Sequence, residues 1–212
     1  MKRRTYLAAA GAAALAGLSG CKGAVAQGTG RHLLGPDTDE RRVTLAEVDD
    51  VPDEHEVRME VEMLETVANA DHPPRLTVTT TNEGPEQAIS GGSDMCHLFN
   101  RSRAGSDDPE GLWLYRADDA DDIDRRGGRW VPDRTGRRAY AMYGCSRRLF
   151  AADESLTNEY EVWDDYRNRG YFPPGTYRWA ERVEVLDDPR SDADTDPATF
   201  TWGFSLSVEV PE

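Results

Sequence analysis

A group of arginines between residues 125 and 148 gives this sequence its clearest potential for binding chemistry. The segment holds eight arginines and one acidic residue, whereas the whole chain has a formal charge of −15. Aromatic residues are interleaved with these arginines. Because guanidinium groups bind carboxylates and phosphates through paired hydrogen bonds and stack on aromatic rings, we expect an anion or partner contact here. The residues expected to make it are Arg125, Arg126, Trp130, Arg137 and Arg138.

An acidic run directly before this segment offers the arginines another role. Residues 118–124 contain five aspartates, and these could simply neutralise the neighbouring guanidinium groups. If they do not, a lipid headgroup, an acidic glycan or an acidic segment of a partner protein would fit the arginines. We do not expect a nucleic acid as a partner, because phosphate binding needs a clustered cationic face and the formal charge of −15 argues against it.

Two cysteines, Cys96 and Cys145, are candidates for a disulfide. An exported protein folds in a compartment that permits disulfides, and this pair would close a loop of about 50 residues, worth about 4 kcal/mol in the chain-entropy model. A copper site is the alternative, since Met95, His97 and Met142 lie near these cysteines in the sequence. Copper proteins with such ligands need a histidine later in the chain, and none follows His97. We therefore expect a disulfide, with no metal and no cofactor.

No motif for catalysis occurs in the chain. It lacks the Gly-x-Ser-x-Gly elbow, a phosphate-binding loop and a His-Glu-x-x-His helix, and its four histidines are scattered. Asp192, Asp194 and Asp196 have the alternate spacing of a calcium loop, but no glycine or distal glutamate completes it. Asn100 begins an Asn-Arg-Ser glycosylation triplet. We expect a protein that is not an enzyme, with Asn100 as a candidate glycosylation site.

Residues 1–20 have the layout of an export signal. A basic start precedes an apolar run of 13 residues, Tyr6 to Leu18, which is short for a membrane span of about 20 residues. Arg3-Arg4-Thr5-Tyr6-Leu7 resembles the twin-arginine pattern, and Leu18-Ser19-Gly20-Cys21 resembles a lipobox, in which the cysteine is lipidated. The alternative is an ordinary secretory peptide. The resemblance implies a lipoprotein attached to the membrane through Cys21, on the outer face of the cytoplasmic membrane.

Removal of this leader leaves 22 basic and 40 acidic residues. Lysine occurs only at Lys2 and Lys22, and all other basic residues are arginine. This acidic, lysine-poor composition resembles that of proteins from salt-in halophilic archaea. Because hydrated carboxylates keep proteins soluble by mutual repulsion, we attribute the acidic excess to the surroundings of the protein and not to its ligand.

The mature chain is predicted to be a flexible tether, residues 21–41, followed by one β-domain, residues 42–212. Apolar and polar residues alternate in the period of a strand over 56–63, 76–80 and 156–163. The last strand is expected to bury one face, and Pro174-Gly175 is expected to form a type II turn. Short antiparallel strands with one buried face predict a β-sandwich. The face expected in the last strand consists of Phe200, Trp202, Phe204, Leu206, Val208 and Val210.

Four short segments of the domain have a recognisable pattern. They are Leu76-Thr-Val-Thr-Thr-Thr-Asn-Glu-Gly84, Ala152-Asp-Glu-Ser155, Val162-Trp-Asp164 and Phe172-Pro-Pro-Gly-Thr-Tyr177. The first resembles the opening strand of the intracellular proteinase inhibitor family, and the others are similar to later elements of that family. The resemblance covers residues 55–186, except for the long polar insertions within 90–150. It implies an immunoglobulin-like antiparallel β-sandwich, and protease inhibition is the function it implies beside a non-enzymatic binding module.

Overall fold

The computed structural model describes residues 40–91, 106–117, 125–132, 148–186 and 196–212. All of them belong to one compact unit, Thr38–Glu212. Ten β-strands account for the regular structure of these residues, apart from two single 3₁₀ turns, so the predicted all-β class is confirmed. The strands are β1 (Arg41–Val48), β2 (Val57–Glu65), β3 (Val67–Ala68), β4 (Arg75–Asn82), β5 (Gln87–Gly91), β6 (Leu112–Arg116), β7 (Arg148–Phe150), β8 (Ser155–Asp164), β9 (Gly175–Leu186) and β10 (Ala198–Glu209).

The strands form two antiparallel sheets. The six-stranded sheet has the order β3-β1-β10-β9-β5-β7, and the four-stranded sheet has the order β2-β4-β8-β6. The longest pairing joins β9 to β10, from Gly175 opposite Val208 to Val185 opposite Ala198. Consecutive strands β1 and β2 lie in different sheets, so the chain crosses between the two sheets at its start.

Alternation of apolar and polar residues determines which face of each strand is buried. In β10 the alternate side chains from Phe200 to Val208 are all buried, as the sequence predicts. The prediction for Val210 is wrong, because β10 ends at Glu209 and the Val210 side chain is 52% exposed. Beyond the last paired residue the chain no longer holds that side chain against the core.

The main hydrophobic core of the described residues contains side chains from both sheets. Leu76 and Tyr160 come from the four-stranded sheet, while Trp179 and Phe204 come from the six-stranded sheet, where their rings stack at 5.5 Å. All four side chains are fully buried. Burial of each such side chain stabilises the fold by about 1.5–3 kcal/mol, so the core is the principal force that holds the sheets together.

The expected type II turn at Pro174-Gly175 is not formed. Gly175 has a φ of 157°, whereas the third position of a type II turn needs a φ near +80°. Gly175 is already the first residue of β9 and pairs with Val208. Pairing with β10 therefore begins one residue earlier than a turn at this position would allow.

The outer face of the four-stranded sheet carries a second, smaller aromatic cluster. Leu112 and Leu114 of β6 point into the main core, so Trp113 and Tyr115 point to the opposite side, where they meet Trp163 of β8. Trp130, from the segment 125–132, packs against this cluster. The cluster thus gives the predicted arginine segment a place to attach.

In the part of the chain that the structure describes, no helix has the length and apolar character needed to span a membrane.

Candidate functional site

Two segments meet at one end of the four-stranded sheet. Residues 125–132, here called the arginine loop, lie over the end of β8, where the Asp164 N–H donates to the Trp130 carbonyl at 2.9 Å. Residues 164–172, here called the aspartate loop, lead from β8 towards β9. Leu112 of β6 pairs with Asp164, so the start of β6 lies at the same end of the sheet.

Glycines shape the arginine loop. Gly127 and Gly128 have φ values of 61° and 79°, a region that favours glycine. A Cβ atom on either residue would meet nothing within 4 Å, so backbone conformation and not space requires glycine here. The turn is closed by the Arg126 N–H, which donates to the Val131 carbonyl at 2.8 Å, and by the Arg129 N–H, which donates to the Arg126 carbonyl at 3.2 Å.

Trp130 anchors the arginine loop. Its indole N–H donates to the Asn69 carbonyl at 2.7 Å, and its ring meets the Trp163 ring edge-on at 5.4 Å. The Arg125 guanidinium lies over the Trp130 ring, 4.1 Å from the centroid. The half-buried Trp130 therefore fixes the loop to the sheet and orients Arg125.

Asp164 organises the aspartate loop from within the protein. Its side chain has no exposed surface; Oδ1 accepts a hydrogen bond from the Asn168 amide at 2.6 Å and Oδ2 accepts one from the Phe172 N–H at 2.9 Å. Burial raises the pKa of Asp164 from 3.8 to about 6, although these hydrogen bonds lower it. Neither donor is charged, so the ionised carboxylate lacks a cation among these two partners.

Asp165, the next residue, has a different environment. Its carboxylate accepts a hydrogen bond from the Trp113 indole at 2.8 Å and forms an ion pair with the Arg167 guanidinium at 2.6 Å. Burial alone would raise the pKa of Asp165, but the hydrogen bonds from Arg167 and Trp113 outweigh burial and the pKa is lowered. Asp165 thus remains ionised and holds Arg167 beside the loop.

A cleft of about 560 Å³ lies between the two loops. Its volume falls within the range of about 300–1,000 Å³ that is usual for small-molecule sites. Among the described residues that line it, Val131 has the only aliphatic side chain, so this part of the lining is predominantly polar. The lining residues are Arg126, Gly127, Arg129, Val131, Asp164, Asp165, Tyr166, Asn168, Gly170 and Tyr171.

Positive charge lies at the surface of this cleft and negative charge lies buried behind it. Arg126 and Arg129 are exposed, and the Arg129 guanidinium lies 5.2 Å from the centroid of the Tyr171 ring. The carboxylates of Asp164 and Asp165 are buried, with 0% and 2% of each residue exposed. The two loops together carry five arginines and two aspartates, in a chain whose formal charge is −15. Among the described residues, the accessible rim of the cleft is therefore cationic.

Of the residues that the sequence singles out, Arg125, Arg126 and Trp130 belong to this site. Arg126 lines the cleft, while Arg125 and Trp130 pack against each other beside it. The other candidates lie outside the described residues, so lipidation, glycosylation, the disulfide and the second arginine pair stay predictions. They are Cys21, Cys96, Asn100, Arg137, Arg138 and Cys145.

The aspartate loop is the part of the site that the sequence analysis does not identify. Among 40 acidic residues, the pair Asp164-Asp165 has nothing unusual in composition. Its position is informative, because the two adjacent acids stand at the end of a strand with alternating polar and apolar residues and are followed by Arg167, Arg169 and Gly170. A search for arginines beyond residue 148 would have found Arg167 and Arg169, and with them this loop.

The described residues contain no group of three or more histidine, cysteine, aspartate or glutamate side chains that could hold a metal ion. Of the possible calcium loop, only Asp196 is described, and the acidic run 118–124 lies outside the described residues.

Comparison of the chain with protein-family models, with curated proteins and with solved structures finds no match.

Proposed function

We propose that this protein is a non-enzymatic binding module that binds an anionic ligand in the cleft between the arginine and aspartate loops. A lipid on Cys21 anchors the module to the outer face of the cytoplasmic membrane. The observation that carries the proposal is the cationic rim of that cleft, formed by Arg126 and Arg129. The anchor and the location rest on the leader and on the lipobox-like sequence that ends at Cys21.

The strand order supports the immunoglobulin-like sandwich that the sequence predicts. In that fold, strands A, B, E and D form one sheet and strands C, F and G form the other. With β2, β4, β5, β6, β8, β9 and β10 taken as A to G, the orders β2-β4-β8-β6 and β5-β9-β10 follow this arrangement. The remaining strands, β1, β3 and β7, extend the second sheet at its two edges. Protease inhibition, the other function that the resemblance implies, stays a prediction.

The state of the two buried carboxylates supports a role in binding and not in catalysis. Both oxygens of Asp164 accept hydrogen bonds from the protein, and Asp165 is held by Arg167 and Trp113. A general acid or base must come within hydrogen-bond reach of the substrate. These groups instead hold the wall of the cleft in shape, and the exposed side chains of Arg126 and Arg129 lie at its rim.

Contact with the ligand has to be direct. A chain of charge −15 repels anions at long range in dilute buffer. At about 1 M salt the Debye length is about 3 Å, so both repulsion and steering at a distance disappear. Paired hydrogen bonds from guanidinium groups to an anion persist under these conditions better than long-range attraction does. We therefore expect binding to be seen most clearly at high salt.

The test is binding of fluorescent anions to the purified full-length protein in detergent, at about 1 M KCl, where surface repulsion is screened. Oligoglutamate, polyphosphate and oligogalacturonate serve as probes. We expect at least one of them to bind, and the double variant Arg126→Gln/Arg129→Gln to lose about 100-fold in affinity, since each lost charge-assisted hydrogen bond corresponds to about tenfold.

Arg182→Gln is the matched control, because Arg182 is an exposed arginine of β9 in the other sheet, with 67% of its side chain exposed. This variant should bind as the natural chain does. The proposal is overturned if no anion binds, or if the double variant and the control bind equally well.

A further inference from the structure

The arginine and aspartate loops lie beside the point where the described chain begins. Arg41, the first residue of β1, donates through Nε to the Tyr171 carbonyl at 3.1 Å, and its guanidinium lies 6.0 Å from the centroid of the Tyr171 ring. The Arg129 guanidinium lies 5.2 Å from the centroid of the same ring. The chain that leads back to Cys21 therefore joins the domain at the end where these loops are.

The opposite end of the domain is acidic. Strand β8 connects the two ends, and its ten residues separate them by about 30 Å. Segments 53–56, 83–86 and 151–154 meet at the far end, where the Glu83 N–H donates to the Glu56 carbonyl at 2.7 Å. These segments contain seven acidic residues and no arginine or lysine. The two loops at the near end, in contrast, carry five arginines and two aspartates, and those aspartates are buried.

Two exposed arginines of the loops, Arg126 and Arg169, form no ion pair with another residue in the part of the chain that the structure describes. Of the acidic residues before β6, Glu110 forms an ion pair with Arg167 at 3.3 Å. Asp107 lies against β9 instead, where it accepts a hydrogen bond from a backbone N–H at 2.8 Å. The loops thus present cations that an anionic surface can contact.

The predicted tether would keep this end of the domain near the bilayer. Eighteen residues separate Cys21 from Glu40. Even a fully extended chain of that length spans only about 65 Å. A domain held this close meets the lipid headgroups at an effective concentration on the order of millimolar, so it needs no attraction over a distance. Free anions, in contrast, must approach a chain of charge −15 from solution, and high salt therefore favours their binding.

From these observations we infer that the partner of this site is the anionic phospholipid surface to which the protein is anchored. Arg126 and Arg169 contact headgroup phosphates, and the acidic end of the domain faces away from the bilayer. Guanidinium groups bind phosphate through paired hydrogen bonds, and each basic residue at an anionic surface strengthens binding about fivefold. This inference rests on the proposed function, because it names the partner of the same site and depends on the lipid on Cys21.

The far end does not oppose this orientation. At about 0.15 M salt the Debye length is about 8 Å, so carboxylates about 30 Å from the bilayer feel little repulsion from its charged lipids. The reverse orientation would place seven acidic residues against the anionic headgroups. Charge therefore selects the end at which the tether is attached.

The test is modification of arginines by phenylglyoxal, followed for each residue by mass spectrometry. The full-length protein is inserted through its lipid into vesicles of phosphatidylcholine alone or with added phosphatidylglycerol, in about 0.15 M KCl. We expect phosphatidylglycerol to slow the modification of Arg125, Arg126 and Arg169 about fivefold or more. Arg58 and Arg148, which pair with acidic residues of the far end, are the matched controls and should react at the same rate in both kinds of vesicle.

Two double variants test the same contact. Arg126→Gln/Arg169→Gln should weaken docking about 25-fold, two factors of about five, so Arg125 should lose most of its protection by phosphatidylglycerol. Arg58→Gln/Arg148→Gln removes the same charge from the far end and should leave Arg125 protected.

The outcomes separate this inference from the proposed function. Equal reactivity of the loop arginines in both kinds of vesicle overturns the inference, whereas cleft binding is tested independently by soluble anions in detergent. Equal protection of Arg58 and Arg148 also overturns it, because the domain would then have no preferred face. If oligoglutamate protects Arg126 and Arg169 in phosphatidylcholine vesicles as strongly as phosphatidylglycerol does, the partner is an acidic protein segment and only anion binding stands. A protein that does not float with the vesicles would overturn both the docking and the lipid anchor.

Discussion

At the scale of single residues, burial makes the ionised form of Asp164 unfavourable. Its pKa of about 6 lies above the ordinary value of 3.8, so between these two pH values the folded protein holds a proton that the unfolded chain releases. The stability that comes from this proton is complete below about pH 4 and is lost as the pH rises through about 6.

A direct consequence is a pH-dependent difference between the natural chain and Asp164→Asn, which cannot titrate. As the pH rises from about 4 to 7, the natural chain should lose up to about 3 kcal/mol in unfolding free energy relative to the variant. Urea unfolding at several pH values measures this difference, in which the titrating groups that do not interact with Asp164 cancel. A difference that stays constant with pH would show that Asp164 is solvated in the folded protein.

Asp165→Asn provides the control of opposite sign. The pKa of Asp165 is lowered, so its ionised form stabilises the fold, and that stability is lost as the pH falls through its folded pKa. Relative to Asp165→Asn, the natural chain should therefore be destabilised by acid. Two adjacent aspartates with opposite pH dependence would separate the effect of burial from that of pairing with Arg167.

At the scale of elements, the pairing of β9 with β10 depends on close backbone approach at Gly203. This residue lies opposite Ala180, and a Cβ atom added to it would stand 2.0 Å from the Trp179 carbonyl oxygen and 2.8 Å from the Ala180 Cα. Both neighbours are backbone atoms of a strand in the middle of the sheet. Neither can move without shifting the strand and its core tryptophan.

We expect Gly203→Ala to destabilise the protein by about 3 kcal/mol or more, at the upper end of the effect of overpacking. Thermal and urea unfolding measure the change. Ser207→Ala, at a half-exposed position of the same strand, is the matched control and should change stability by less than about 0.5 kcal/mol, as surface substitutions usually do. Equal stability of the two variants would contradict the close approach of β9 and β10.

The elements also show which parts of the fold a sequence can predict. Strands β2, β4, β8, β9 and β10 have clear alternation because one face is buried and the other is wet, so their positions could be predicted. Short strands such as β3 and β7, with two and three residues, carry no periodic signal. Strand order could not be predicted either, because it depends on pairing between segments that are distant in the sequence.

The candidate site, like the fold, could be predicted only in part from the sequence. Arg125, Arg126 and Trp130 were detectable by composition, since arginines are conspicuous in an acidic chain. The aspartate loop was not, because its role comes from burial and from contact with Asn168 and Phe172, which appear only when the strands are placed. Composition can identify residues of an unusual type, such as arginines in an acidic chain. It cannot identify an aspartate whose role depends on where the fold buries it.

At the scale of the whole molecule, charge opposes folding. The chain carries 40 acidic and 25 basic residues, and compaction brings the excess carboxylates closer together. In about 0.1 M salt the Debye length is about 10 Å, so exposed carboxylates on neighbouring strands repel one another, whereas at about 1 M it is about 3 Å. The hydrophobic core is unaffected by this screening and strengthened by some salts.

The melting temperature should therefore rise by about 5 °C or more between about 0.1 M and 2 M KCl, which corresponds to about 2 kcal/mol in a chain of this size. The double variant Glu54→Gln/Glu62→Gln distinguishes screening of carboxylate repulsion from general effects of salt on the core. It removes two exposed carboxylates and leaves the core unchanged. This variant should gain stability at low salt and depend less steeply on KCl than the natural chain. If both proteins show the same dependence, repulsion among surface carboxylates is not what salt relieves, and the acidic excess serves solubility alone.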